Sequence, residues 1–125
     1  MELSLPACLL IVAAGGALGA AVRYLFIYYI DSTQFPWATL AVNFIGSFLL
    51  ALLTFSLTGI SQEARLLMFT GFFGAFTTMS TFALDTTVLF SNGRFGDAAM
   101  NFLGTVVLCL GGAAAGRWAG IALAA

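Results

Sequence analysis

The sequence contains no histidine and no lysine. It therefore lacks an imidazole ligand, a Schiff-base lysine and the commonest general base, and with no acid pair at catalytic spacing an enzyme is not expected. Four arginines and five acids give a net charge of −1 with no basic patch, which argues against nucleic-acid binding. Only two cysteines occur, Cys8 and Cys109, both within apolar runs. They read as small apolar side chains, with no spacing that suggests a disulfide or a metal site. Charged residues of every kind make up 7% of the chain and hydrophobic ones 62%, a balance far outside that of water-soluble domains.

What remains is long apolar sequence. Uncharged stretches run from Leu3 to Val22, Ser32 to Gln62, Leu66 to Leu84 and Ala98 to Gly116. Each matches the ~20 residues a helix needs to cross hydrocarbon. Some spans extend past a flanking charge, as where Arg23 is followed by "YLFIYYI". The expected architecture is an all-α integral membrane protein of four transmembrane helices, with residues 1–125 as one four-span domain and no room for a soluble one. The first stretch also offers small residues that a signal peptidase would accept, but Glu2 stands where a secretory signal carries Lys or Arg, so a retained span is expected.

Orientation in a membrane follows positively charged loops. Four spans place Arg65 and Arg117 on one side and Arg23 and Arg94 on the other, two against two. A short chain with no bias can insert in both directions, and opposite copies can pair antiparallel; the alternative is a single orientation fixed by the N-terminus or by loop length.

Small residues recur in the first span at Gly15, Gly16 and Gly19 and in the fourth at Gly112 and Gly116. Such faces let helix backbones approach in lipid, where hydrophobicity does not drive helices together. The second span is expected to start around Trp37, after Pro36. Along it Thr39, Asn43, Ser47 and Thr54 form one stripe, and Asn101, Thr105 and Cys109 repeat the pattern in the fourth span. An amide such as Asn43 is costly in hydrocarbon unless it finds partners, either as glue to another helix or in a functional site. Neither stripe holds a carboxylate, so amide and hydroxyl donors that solvate an anion without trapping it are one reading, and interhelical bonding is the other.

The third span, "GFFGAFTTMSTF", is unlike a normal membrane helix. Gly71 and Gly74 weaken it, and Thr77, Thr78, Ser80 and Thr81 compete for backbone hydrogen bonds, so a break near Gly74 to Thr78 is expected. Broken backbone at membrane depth must be buried in protein or line a wet cavity, and it is typical of ion sites. Phe73, Phe76, Met79 and Phe82 recur at steps of three, a spacing that fits either packing or an ion-lining face.

Taken together, "GGALGAAVRY", "WATLAVNFIGSF" and "GFFGAFTTMSTF" resemble the Fluc, or CrcB, family of fluoride channels over the whole chain. The resemblance implies a cell (inner) membrane channel that passively exports fluoride and confers fluoride resistance. It further implies an antiparallel, dual-topology homodimer with two fluoride pathways and a structural sodium ion at its centre. Carried over by position, Asn43 would be the pore-facing amide, and Met79 and Phe82 would occupy two phenylalanine positions that contact fluoride. Ser80 and Thr81 would line the path, Arg23 would sit near the aqueous vestibule, and Gly74 and Thr77 would offer backbone carbonyls to sodium. Thr105 is a further candidate donor to fluoride on its hydroxyl chemistry. The chain departs from the family pattern at Met79, where Phe is usual, at Ala75, where a second Gly is usual, and at Ala83 and Asp85, where Ser and Glu are common. A methionine lacks the positive ring edge of phenylalanine, so altered or reduced conduction is expected. Asp85 itself is expected at the water interface if the third helix runs long, or paired if it is buried.

Two other functions fit a four-span chain. A proton-coupled exporter needs a carboxylate at mid-membrane in the first span, and Glu2 lies only at its extreme end. A non-transporting membrane scaffold would use the polar stripes only as glue and would carry no ions. The balanced arginines generate one direct expectation: a C-terminal tag should be accessible from both sides of the membrane. Detection of one orientation only would remove the antiparallel dimer.

Overall fold

The computed structural model describes residues 2–125. Ser4 opens the first helix, its hydroxyl accepting the Ala7 N–H at 3.4 Å, and α1 runs over Leu5–Tyr29. At about 1.5 Å per residue it is long enough to cross a bilayer, and it passes Arg23 without interruption. The following loop is pinned at both ends. The Asp31 carboxylate accepts the Thr33 N–H at 2.9 Å, and the Ser32 hydroxyl accepts the Ala38 N–H at 2.9 Å, so it serves a free donor of the next helix. That helix, α2, spans Trp37–Ser56 directly after Pro36, where the sequence places it.

The third crossing is two half-helices. The first, α3, covers residues 62–76 and opens on Ser61, whose hydroxyl accepts the Ala64 N–H. Its middle, Leu66–Phe73, is wound as wider π-type turns, and Gly74–Phe76 returns to α geometry. Thr77 and Thr78 then adopt extended backbone, and α4 restarts at Met79–Ser91. The break falls within the expected Gly74 to Thr78 window; the π-type turns before it were not foreseen. Gly93, at φ 75°, closes α4 with Gly93 and Arg94 N–H groups bonded back to the carbonyls of Phe90 and Leu89. The last helix, α5, covers Phe95–Ala124 and carries an Arg94 to Asp97 ion pair of 2.7 Å at its start. The fourth crossing therefore continues past Arg117.

Four crossings are long and apolar enough to span a membrane. Leu10, Leu18, Val107 and Leu110 are exposed along them, as lipid-facing residues should be. Cohesion comes from close backbone contact. A Cβ added to Gly15 or Gly19 would strike the carbonyls of Leu67 or Phe72, and one added to Gly71 would lie 2.8 Å from the Val12 carbonyl oxygen, so α1 and α3 touch backbone to backbone. Gly116 and Gly120 do the same for α5 against the Phe48 and Leu52 carbonyls of α2, and Gly112 makes room for the Phe44 ring. Both small-residue faces thus join helices within one chain. Between the pairs, Val42, Phe73 and Phe76 form the buried centre, with Phe26 edge-on to Phe76 at 5.5 Å.

Gly116→Val should therefore force α2 and α5 apart. The expected loss is about 1–3 kcal/mol in unfolding of the detergent-solubilised protein. Gly111→Ala, whose added Cβ meets nothing within 4 Å, should be neutral or slightly stabilising.

Candidate functional site

Any break in a membrane helix frees backbone groups that no water will satisfy. Here α2 supplies the remedy. The Thr78 N–H donates to Asn43 Oδ1 at 2.8 Å, and Asn43 Nδ2 donates to the Thr78 carbonyl at 3.1 Å. Asn43 is 8% exposed, and this paired clasp uses one of its two amide N–H groups. Space for the break comes from Gly46, one turn along α2, where an added Cβ would collide with the Thr77 methyl and approach the Phe76 ring to 3.2 Å. The sequence reading missed Gly46, although its position three residues after Asn43 was a usable signal.

The clasp has an electrostatic by-product. In a continuous helix the Thr78 N–H would serve the Gly74 carbonyl, and the Thr81 N–H would serve the Thr77 carbonyl. Instead the first goes to Asn43, and the second goes to the Thr78 hydroxyl at 3.2 Å. Thr77 turns its own N–H and hydroxyl back to the Phe73 carbonyl. The end of α3 thus presents carbonyls deprived of their helical donors, and the start of α4 presents free N–H groups. The two ends carry opposite partial charge.

The hydroxyls around Thr78 can be assigned by counting hydrogens. Thr78 Oγ1 donates to Thr81 Oγ1 at 3.1 Å and lies 3.3 Å from Ser80 Oγ. It has one hydrogen, so Ser80 must be the donor in the second contact. That leaves the Thr81 hydroxyl hydrogen free, together with the second Asn43 N–H. Farther along, Asn101 is 2% exposed and donates to Thr86 Oγ1 at 2.9 Å; Thr86 in turn donates to the Phe82 carbonyl at 2.8 Å. Thr105 donates to Asn101 Oδ1 at a long 3.5 Å, so its hydroxyl hydrogen already points to a neighbour. Phe82, 5% exposed, stacks against Phe102 at 6.2 Å.

A cavity of about 380 Å³ brings these elements together, bordered among others by Asn43, Thr77, Thr78, Met79, Phe82 and Thr105. Cys109 and Ser47 lie on the same cavity. Ser80 is exposed and Thr81 half-buried beside the break, and Gly74 is exposed at the end of α3; none of the three borders the cavity. Arg23, half-buried on α1, does not border it either. The aromatic spacing at steps of three does not survive as one face: the break sends Phe73 and Phe76 into the protein centre, and leaves Met79 and Phe82 on the cavity. Asp85 faces a second, polar pocket of about 220 Å³ with Ser32, Gln34, Asn92 and Arg94 from the loops. Its Oδ2 is enclosed and has no hydrogen-bond partner among the described residues.

Residues 10–117 match the family model described as CrcB-like protein, Camphor Resistance (CrcB). The chain belongs to the CrcB family. Its relatives in that family include a protein of Geobacter sulfurreducens named fluoride-specific ion channel FluC, 44% identical over 119 residues, which cover 90% of this chain and 93% of the relative. Another is fluoride-specific ion channel FluC 2 of Haloarcula marismortui, 44% identical over 102 residues, or 82% of this chain and 84% of the relative. A third, from Elusimicrobium minutum, bears the FluC name and is 42% identical over 106 residues, again 82% and 84%. Within this CrcB chain the clasp is the point at which a single substitution separates packing from chemistry. Asn43→Leu keeps the branched outline of the side chain but orphans the Thr78 N–H. Its expected cost is about 1–3 kcal/mol, measurable as a lowered unfolding temperature in detergent.

Proposed function

We propose that the protein is a passive fluoride channel of the cell membrane, lowering cytoplasmic fluoride that enters in its protonated, permeable form. The observation that supports this most is the broken third crossing, held by Asn43 beside a cavity in which Asn43, Ser47, Thr78 and Thr105 are set among apolar side chains. Fluoride is small and strongly hydrated, so a path must replace its water with hydrogen-bond donors and still release it. The free Asn43 N–H, the free Thr81 hydroxyl and the N–H end of α4 are donors without full charge. The Phe82 ring edge adds a weakly positive surface. Ser80 donates to fluoride only by releasing Thr78, and Thr105 only by releasing Asn101, so both act as exchangeable donors as the ion passes. Arg23 is assigned to the approach, where a full charge attracts anions without trapping them at depth.

The donor set at the end of α3 fits a sodium ion. The Gly74 and Thr77 carbonyls, both robbed of their helical donors, are hard neutral oxygens of the kind that hold such an ion, and nearby exposure of Gly74 leaves room for a second copy. A bound sodium would supply positive charge that cancels the carbonyl end of α3 and ties two copies together. We assign the assembly as an antiparallel homodimer in the lipid bilayer, with two fluoride pathways. Both small-residue faces are already used inside the protomer, which leaves the break and its surroundings as the polar surface available to a second copy.

Fluoride-electrode recording of efflux from proteoliposomes tests the channel. Folded, dimeric protein should release fluoride faster than empty vesicles; efflux no faster than theirs would sink the reading and favour a scaffold. Met79→Phe should retain or raise that flux. A complete loss of flux in this variant would show that the cavity is not the path.

A further inference from the structure

Met79 borders the main cavity and is 75% exposed in the single protomer, on the surface beside the break that the dimer reading gives to a second copy, so within the pair a small molecule reaches it through the cavity. The other described methionines differ. Met68 is half-buried in α3, and Met100, 51% exposed on α5, borders neither the main cavity nor the loop pocket. Among the described residues, one thioether therefore lines the cavity that also holds the Asn43 amide and the Thr78 hydroxyl. Thioethers of that kind are open to small oxidants, and the product changes character: a soft, weakly accepting sulfur becomes a polar sulfoxide with a strongly accepting oxygen.

We infer that Met79 is a site of reversible oxidation by small neutral peroxides, and that its sulfoxide throttles the anion path. The inference rests on the channel reading above. In the step, the Met79 sulfur attacks one oxygen of hydrogen peroxide. An S–O bond forms as the O–O bond breaks; sulfur gives up two electrons, and the transferred oxygen's proton passes to the departing hydroxide, which leaves as water. The sulfoxide oxygen then carries partial negative charge into a cavity bordered by the Asn43 amide. It repels an anion, and it competes with that anion for the free Asn43 N–H. Peroxide is small enough to enter the cavity of about 380 Å³ that Met79 borders.

The test is fluoride efflux from proteoliposomes before and after hydrogen peroxide, with each protein compared to its own untreated rate. Wild type should slow several-fold, with one oxygen added at Met79 by mass spectrometry, and should recover after treatment with the two methionine sulfoxide reductases. Met79→Leu should change less than about twofold under the same peroxide, while Cys109→Ser should slow as wild type does. Equal slowing in Met79→Leu would overturn the inference. So would Met79 oxidised without slowing, or Met79 unmodified when Met100 is oxidised. Untreated wild type that moves no fluoride would overturn the channel reading itself, a result distinct from an active channel indifferent to peroxide.

Discussion

Two hydrogen bonds between the Asn43 amide and the Thr78 backbone permit everything else at the centre of this molecule. In lipid an unpaired backbone group costs several kcal/mol by rough estimate, so a helix does not break unless a partner waits at the same depth. Asn43 is that partner, and its position fixes where the break falls. Gly46 clears the space beside it, and Phe73 and Phe76 anchor the upstream half against Val42. Once Thr78 turns to Asn43, the Gly74 and Thr77 carbonyls lose their helical donors, and the first N–H groups of α4 have no helical carbonyl to serve, that of Thr81 being capped by the Thr78 hydroxyl. A single side-chain clasp thereby converts one apolar crossing into two facing helix ends of opposite polarity.

Glycine performs a different task in each part of the chain. On α1 and α5 it removes Cβ atoms that would strike facing carbonyls, and the close contact supplies the van der Waals cohesion that hydrophobicity cannot provide in lipid. At Gly93 it provides a left-handed turn. Gly46 acts on the site by making room for Thr77 and Phe76 at the break. Because the small-residue faces of α1 and α5 are both covered by helices of the same chain, cohesion of the protomer and any encounter with a second copy use separate surfaces.

Much of this was legible in the sequence because lipid simplifies the rules. Charges marked the crossings, Pro36 and Trp37 marked the start of α2, and the glycine and hydroxyl run marked the break. What escaped was the reciprocal detail. Asn43 was conspicuous as an amide at depth, but no spacing states that its partner is the Thr78 backbone, some 35 residues away. The π-type winding of Leu66–Phe73 was hidden for a similar reason, since Thr70 and Gly71 signal a weakened helix without saying that it winds wider. The apparent row of Phe73, Phe76, Met79 and Phe82 was misleading as a single face, because spacing presumes continuous backbone and the break resets it. Similarly, Thr105 reads as a free donor until Asn101 is seen beside it.

The shortness of α4 also bears on how the protein is made. Its 13 residues reach only about 20 Å, less than the hydrocarbon thickness of about 30 Å. It is too short to cross the membrane alone, so residues 62–91 make the third crossing together. Asn43, the partner of Thr78, lies in the crossing before it in the chain. Synthesis from the N-terminus thus makes the partner amide before the backbone groups that need it.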